Sequence, residues 1–89
     1  MPVRAYILIQ TEVGTAASVS ARAAEIPGIV AADDVTGPYD VIAQAVADSV
    51  DDLGRMVVSR LQVIEGITRT LTCPVVELSS GEEGSPASA

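Results

Sequence analysis

The first strand-like segment of the chain is apolar on both of its alternating sets of positions. In residues 3–11, Ile7 and Ile9 face one way, while Tyr6 and Leu8 face the other. A strand that is apolar on both sides is covered on both sides. The pattern therefore predicts a β-strand with a layer of structure against each face.

Apolar residues at helical spacing occupy residues 12–25 and predict the first helix. Its expected buried face is mostly alanine, which lets the helix lie close to a sheet. That face consists of Val13, Ala16, Ala17, Ser20, Ala23 and Ala24. Pro27 and Gly28 follow, and together they stop a helix.

Two strands joined by a tight turn come next, at residues 29–37 and 39–47. Gly37-Pro38 lies between them, and this pair is typical of a hairpin reversal. Ser49 is a good N-cap for a second helix. The apolar stripe of that helix consists of Val50, Leu53, Val57, Leu61 and Ile64.

Residues 67–78 predict the fourth strand, in which Cys73 is expected to be a small buried hydrophobe. Pro74 cannot donate a ladder hydrogen bond, so the strand is expected to bulge there or to run along an edge. Residues 79–89 contain Ser, Gly, Glu, Pro and Ala without a pattern, which is typical of a flexible tail. The sequence therefore predicts one domain, residues 1–78, followed by this tail.

An internal repeat with a spacing of 38 residues organises these elements. Both halves contain Ile-x-Gly-Ile, at residues 26–29 and 64–67. Each half reads strand, helix, strand, so two halves give the βαββαβ order of an α+β, ferredoxin-like fold. We expect a four-stranded antiparallel sheet with two helices on one face. Right-handed crossovers place the first and third strands in the centre of the sheet.

Composition adds an expectation of self-association. The 89 residues are 48% hydrophobic, with no Phe and no Trp. This composition excludes a disordered tail protein and a collagen-like repeat. Since two helices cover only one face of a sheet, the other face would expose more apolar surface than soluble monomers usually tolerate. The expected assembly is a dimer of the α+β-barrel type.

Several kinds of chemistry are excluded by missing residue types. The chain has no His and no Lys, and Cys73 is its one cysteine. These absences exclude Ser-His-Asp and Cys-His nucleophile pairs, Schiff-base lysines, CxxC redox pairs and Cys/His zinc sites. Asp33 and Asp34 are adjacent on a strand and point to opposite faces, which argues against a shared acid/base or cation site. No cofactor and no metal are expected.

Charge and hydropathy constrain partners and location. The formal net charge is −7, with five arginines as the only cations, so the chain has no basic stripe for the phosphate backbone. We expect no direct nucleic-acid binding. No segment has the pattern of a signal peptide or a membrane span, and one unpaired cysteine suits a reducing compartment. The expected location is the cytoplasm.

Two segments carry a resemblance to a known family. They are Val35-Thr-Gly-Pro-Tyr-Asp-Val41 at the hairpin and Ile64-Glu-Gly-Ile-Thr-Arg-Thr-Leu-Thr72 after the second helix. They resemble the signature segments of the ligand-binding domain of the Lrp/AsnC family, also called the RAM domain. The resemblance covers residues 3–78. Full-length members carry an N-terminal helix-turn-helix domain, and this chain, which begins at its first strand, is similar to the stand-alone members that lack it.

The resemblance implies a role in transcription regulation, with an amino acid as the effector. It also implies that effectors bind around the hairpin at contacts between dimers, which assemble into octamers or larger rings. A full-length Lrp/AsnC regulator is then the expected macromolecular partner, because this chain has no basic surface of its own for DNA.

The hairpin carries the candidate effector site. A free amino acid is a zwitterion, so its receptor needs an acceptor for the ammonium group and donors for the carboxylate. Asp40 meets the first need, and the backbone near Gly37 with the hydroxyls of Thr70 and Thr72 meets the second. The candidate residues are Thr36, Gly37, Tyr39, Asp40, Thr70 and Thr72. The alternative is a plain hairpin turn in which Asp40 binds only the local backbone.

Two other functions fit the same fold. One is a small dimeric α+β-barrel enzyme of the monooxygenase or isomerase kind, but such enzymes commonly need His, Trp or a roomy aromatic pocket. The other is an ACT-type amino-acid-binding domain, whose Gly-rich turn after the first strand is not obvious in residues 11–14. We therefore expect a binding module without catalytic residues.

Overall fold

The computed structural model describes residues 2–76 of the chain. The elements are β1 (Val3–Thr11), α1 (Ala16–Ala24), β2 (Ile29–Asp34), β3 (Val41–Ala47), α2 (Val50–Met56), a π-helical segment (Val57–Leu61) and β4 (Ile67–Pro74). This order confirms the predicted βαββαβ arrangement. The end of the predicted fourth strand, residues 77–78, and the predicted tail, residues 79–89, lie outside the described residues.

The four strands form one sheet in the order β2-β3-β1-β4, with every neighbouring pair antiparallel. The central position of β1 and β3 confirms the expectation from right-handed crossovers. Ile7 marks the middle of the sheet, because it pairs with Ala43 on one side and with Thr72 on the other.

The core lies between one face of the sheet and the two helices. The sheet contributes Ala5, Ile7, Ile9, Ile29, Val41, Ala43 and Ala45, and the helical elements contribute Val19, Ala23, Leu53, Val57 and Leu61. Small residues alternate with large ones, which brings the helices close to the sheet. Full burial of each Ile or Leu side chain is worth about 1.5–3 kcal/mol, so these few residues supply most of the driving force for folding.

The opposite face of the sheet has no helix against it within residues 2–76. We call it the open face. It consists of Arg4, Tyr6, Leu8 and Gln10 from β1, Ala31 and Asp33 from β2, Ile42, Gln44 and Val46 from β3, and Arg69, Leu71 and Cys73 from β4. Cys73 lies opposite Tyr6 and is exposed, so the expectation of a buried cysteine is wrong. The alternation of strand residues places it on the face that the helices do not cover.

Helix α1 differs from its prediction in start and phase. It begins at Ala16, because residues 12–15 form a turn in which Gly14 has φ 85°. Val13 lies in that turn and is fully exposed. Val19 is completely buried instead, since it is the largest apolar side chain of the helix and takes the central contact with the sheet.

The predicted face of α1 also included Ala17 and Ala24, and both are exposed. Ala23 is buried, and Ala16 and Ser20 are half-buried. The phase set by Val19 therefore leaves about half of the predicted face in contact with the sheet. An alanine stripe alone does not fix the rotation of a helix, because each alanine gains little from burial.

Helix α2 and the π-helical segment bear out most of the predicted stripe. Leu53, Val57 and Leu61 are buried, and Ile64 packs against the core, whereas Val50 in the first turn is exposed. Residues spaced by four lie on one face of a helix, so Leu53, Val57 and Leu61 all pack against the sheet.

The predicted cap of this helix is also confirmed. The Oγ of Ser49 accepts a hydrogen bond of 3.1 Å from the backbone N–H of Asp52. Asp51 and Asp52 lie in the first turn, where the helix dipole favours negative charge. No helix within residues 2–76 combines the length and hydropathy of a membrane-crossing segment.

Two strands are shorter than predicted, because the hairpin loop takes up residues 35–40. The backbone N–H of Val35 closes this loop on the carbonyl of Asp40 at 2.9 Å. Strand β4 lies at the sheet edge and ends at Pro74, which satisfies the edge alternative for that proline. The register shift of the β1–β4 pair falls at Gln10/Thr11, at the opposite end from Pro74.

The Ile-x-Gly-Ile repeat has a common backbone cause. Gly28 and Gly66 both precede a strand and have φ of 99° and 103°, a conformation that other residues rarely adopt. A Cβ added to Gly66 would lie 2.9 Å from the Oγ1 of Thr15, and one added to Gly28 would lie 3.0 Å from the carbonyl oxygen of Val46. Both halves of the chain thus need glycine where the helix turns into the next strand.

We predict that Gly66→Ala lowers the free energy of unfolding by about 1–3 kcal/mol, because the positive φ and the contact with Thr15 must both be relaxed. Gly54→Ala is the matched control: Gly54 lies in α2, and a Cβ there meets nothing within 4 Å. That control is expected to stabilise the fold by roughly 0.5–1 kcal/mol. Urea unfolding at one protein concentration measures both, and equal effects would contradict the role assigned to Gly66.

Candidate functional site

Asp40 ties the hairpin to the central strand of the sheet. Its backbone N–H donates to the carbonyl of Ile9 at 2.9 Å, and its Oδ2 accepts from the backbone N–H of Thr11 at 2.8 Å. The Oδ1 of Asp40 accepts no hydrogen bond from residues 2–76. One carboxylate oxygen therefore serves the local backbone, as in a plain turn, and the other is available to a ligand.

The hairpin tip is open and polar. Gly37 has φ 141°, and a Cβ added there would meet nothing within 4 Å, so the backbone is accessible from that side. Thr36 is exposed, and Tyr39 is half-buried beside Asp40. The Nε2 of Gln10 donates to the carbonyl of Pro38 at 3.1 Å and holds the tip against β1. The structure thus brings four of the six candidate residues into one hairpin.

The two candidate threonines lie elsewhere in the chain's own fold. Thr70 pairs with Ile9 and Thr72 with Ile7, so both side chains share the face that the helices cover. The Oγ1 of Thr70 accepts a hydrogen bond of 2.9 Å from the Nε2 of Gln62. The spacing of two residues along β4 places these hydroxyls on one face, as predicted. Within a single chain, however, β1 lies between them and the hairpin that precedes β3.

Two polar side chains near the hairpin were missed by the sequence analysis. Gln10 and Arg69 lie directly opposite each other in the β1–β4 register, on the open face. Arg69 is exposed and belongs to the same Arg-Thr-Leu-Thr segment that supplied the candidate threonines. Alternation along β4 predicts that Arg69 lies on the opposite face from Thr70 and Thr72. The pairing of Arg69 with Gln10, which the sequence does not reveal, places Arg69 at the hairpin end of the sheet.

The remainder of the open face is largely apolar. Tyr6 is 42% exposed and Leu71 is 43% exposed, while Leu8, Ile42 and Val46 are half-buried. These five side chains are contributed by the two central strands and the β4 edge. A contiguous apolar surface of this kind is typical of a protein–protein interface.

A wide groove of about 620 Å³ lies on the helix side, between the end of α1 and the π-helical segment. Its lining includes Arg22, Ile26, Arg60 and Val63. None of the candidate effector residues contributes to it. Its polar groups are exposed surface side chains, so we assign the candidate site to the hairpin, where a polar atom is held in place by the backbone.

Comparison with protein families identifies a match over most of the chain. A family model described as the Lrp/AsnC ligand binding domain matches residues 4–80. The uncharacterized HTH-type transcriptional regulator PH1916 of Pyrococcus horikoshii is 31% identical, in a match that covers 76% of this chain and 47% of that protein. The chain thus spans about half the length of the curated relatives it matches.

Solved structures share the fold. TTHA0845 from Thermus thermophilus has a TM-score of 0.81 at 26% identity, covering 89% of this chain and 99% of that one. The transcriptional regulator NMB0573 from Neisseria meningitidis, solved as a complex with L-Met, has a TM-score of 0.75 at 17% identity, covering 94% of this chain and 56% of that one. At the lower identity the likeness shows the fold alone.

We predict that Asp40→Ala destabilises the fold by about 1–2 kcal/mol, because the Thr11 N–H loses its acceptor. Asp40→Asn keeps a side-chain oxygen for that N–H, so its effect is expected to be smaller. Asp33→Ala serves as the control, since Asp33 is an exposed strand carboxylate. Chemical unfolding of the three variants checks this, and a loss in Asp40→Ala no larger than in the control contradicts it.

Proposed function

The chain belongs to the Lrp/AsnC ligand-binding domain family, and we propose that it acts as a small-molecule-sensing, oligomeric module of a transcriptional regulator. The regulator names of its relatives support a regulatory role without catalysis. An amino acid is the proposed effector class. The L-Met complex of a protein with the same fold supports that choice.

The observation that supports this proposal most directly is the carboxylate of Asp40, which has one hydrogen-bonded oxygen and one oxygen without a hydrogen bond from residues 2–76. Its Oδ2 is held by the backbone of Thr11, which fixes the position of the group, and its Oδ1 is left for a ligand ammonium. Hydrogen bonds to a charged acceptor of fixed position are among the stronger polar contacts. The open backbone at Gly37 and the hydroxyl of Thr36 are the proposed donors to the ligand carboxylate, and Tyr39 is proposed to pack its ring against the ligand.

Thr70 and Thr72 complete the proposed site across subunits. They lie on the edge strand β4, and a ligand held by the hairpin of a second subunit can reach a sheet edge that it could not reach within its own chain. The site is therefore proposed to be shared between copies of the chain, as the family resemblance implies.

A second copy is also the proposed cover of the open face. Stable interfaces bury about 800 Å² on each partner, with an apolar centre and a polar rim. The open face has this arrangement, because Tyr6, Leu8 and Leu71 lie near its middle while Gln10 and Arg69 lie at one end. We propose a dimer that assembles further into an octamer or larger ring. Any DNA contact is proposed to be made by a full-length regulator of the family, given the net charge of −7.

Binding of an amino acid is the direct test of the proposed function. We expect at least one standard L-amino acid to bind in calorimetric titrations and to add its mass to the oligomer in native mass spectrometry. Asp40→Asn is expected to weaken that binding by about ten- to a hundredfold, because it removes the charge and keeps the fold. Asp51→Asn carries the same charge change at an exposed position of α2, on the helix side, and is expected to bind normally.

Two results would contradict the proposal in different ways. If no standard L-amino acid changes the melting temperature, the heat of titration or the oligomer mass, the sensing role is wrong and a structural partner role becomes the better interpretation. If an amino acid binds wild type and Asp40→Asn equally well, sensing stands and the assigned site is wrong.

The dimer proposal has its own measurement. Leu71→Arg places a charge in the middle of the open face and is expected to weaken the dimer at least about tenfold. Val63→Arg is the control, because Val63 is 71% exposed on the helix side. Sedimentation measures the oligomeric state. The rate at which a thiol reagent labels Cys73 measures whether the open face is covered, and we expect slow labelling in wild type and fast labelling in Leu71→Arg. A wild-type monomer at micromolar concentration with a native circular dichroism spectrum contradicts the proposal.

A further inference from the structure

The groove on the helix side has an arginine on each of its helical walls. Arg22 comes from the last turn of α1 and Arg60 from the last turn of the π-helical segment, where the helix dipole favours a cation. Neither forms an ion pair with any of residues 2–76. Glu25 is the one carboxylate among the described residues that line the groove. Arg22 also borders a cleft with Glu12 and Glu65, so Arg60 is the less compensated cation.

The floor of the groove between these charges is apolar. Ile26 and Ile64 are half-buried and pack against the core, while Val63 beside them is 71% exposed. An apolar centre with a charged rim is the usual arrangement of a protein–protein contact. The groove therefore has the composition of a docking surface rather than of plain solvated surface.

A second surface, at the start of α2, has the opposite charge. Val50 is 60% exposed there, and the exposed carboxylates of Asp48 and Asp51 flank it in the sequence. Asp52 is paired within α2 at 3.0 Å, but Asp48 and Asp51 form no ion pair with any of residues 2–76. We call residues 48–51 the acidic corner. It presents one apolar side chain between two unpaired carboxylates.

The acidic corner and the groove complement each other but cannot meet within one chain. Val50 and Arg60 lie near opposite ends of one continuous helical element, about 15 Å apart at 1.5 Å per residue. A contact between the two surfaces must therefore join two copies. Because it uses a different surface from each copy, it is a head-to-tail contact, which forms a ring when the rotation between copies closes.

We propose that the acidic corner of one copy docks in the groove of the next copy and so joins dimers into a ring. This inference rests on the proposed assembly of dimers and deepens it, because it assigns a contact surface away from both the hairpin and the open face. Val50 lies on the apolar floor, and the two arginines of the groove donate to the carboxylates on either side of it.

The number of contacts in a ring compensates for the small size of each one. Stable interfaces usually bury about 1,200–2,000 Å² in total, more than a single corner and groove are expected to supply. A dimer carries two acidic corners and two grooves. Closure of the ring makes the last contact intramolecular, which raises its effective concentration.

Charge reversal in the full chain tests this contact. Arg60→Glu and Asp48→Arg each place like charges against each other between copies. Each is therefore expected to convert rings to dimers and to weaken ring formation at least about tenfold. The double variant with both changes is expected to form rings again, because its surfaces are once more opposite in charge. Sedimentation and native mass spectrometry measure the assembly, and circular dichroism checks the fold.

A mixture of the two single variants provides an independent arm of the test. Chains with Arg60→Glu repel their own kind but accept chains with Asp48→Arg, and the reverse also holds. An equimolar mixture is therefore expected to form rings from components that are dimers when separate. This result depends on pairing between copies, which a change in the fold of either variant would not restore.

Three further variants have expected results of different sign. Glu25→Gln removes the carboxylate of the groove lining and is expected to favour rings. Val63→Arg fills the groove while leaving the open face intact, so it is expected to give dimers. Asp51→Asn removes one exposed ion pair, worth at most about 1 kcal/mol, and is expected to keep the ring.

The outcomes separate this inference from the proposed function. If wild type forms rings and neither charge reversal changes their mass, the docking contact is wrong and the proposed assembly stands through another surface. If both reversals give dimers but neither the double variant nor the mixture forms rings, the docking contact is also wrong. If wild type is a dimer at every concentration, ring assembly and this inference fail together, while binding of an amino acid to that dimer leaves the sensing role standing.

Discussion

The fold depends on one constraint: a central strand that is apolar on both faces has helices to cover only one of them. Ile7 and Ile9 on the covered face of β1 are completely buried, while Tyr6 on the other face remains 42% exposed. The helices are held by the covered face, and the hairpin is anchored to the same strand through Asp40. The open face has an apolar middle that a single copy of the chain leaves partly exposed to solvent.

Alternation and repetition made much of this fold predictable. Three patterns can be recognised in the sequence without knowledge of the fold. They are the alternation of residues in β1, the helical spacing of Leu53, Val57 and Leu61, and the Ile-x-Gly-Ile repeat. The phase of α1 was not predictable in the same way, because its alanines gain little from burial and Val19 decides the rotation. The hairpin was also predictable, since Gly37-Pro38 has few other conformations.

Alternation along a strand shows which side chains share a face, but it does not show whether the helices cover that face. The candidate site was therefore harder to predict than the fold. Thr70 and Thr72 lie on one face, as expected, but that face is the covered one. Cys73 was expected to be buried because of its hydrophobicity, yet it lies with Leu71 on the open face, outside the core of the single chain. Arg69 could be placed near the hairpin only through its register with Gln10, and strand register is a long-range property.

The hairpin that carries Asp40 and the apolar middle of the open face are both attached to β1, so the proposed effector site and the proposed dimer surface share one strand. If an effector binds more tightly to one assembly state than to another, linkage requires it to favour that state by the same factor. Such a coupling would need no movement of the core, because Asp40 is bonded to Ile9 and Thr11, and Leu8 of the open face directly precedes Ile9 on the same strand. Under the proposed function, an effector bound at the hairpin would be reported as a change in oligomeric state, and the signal would pass between subunits rather than through one.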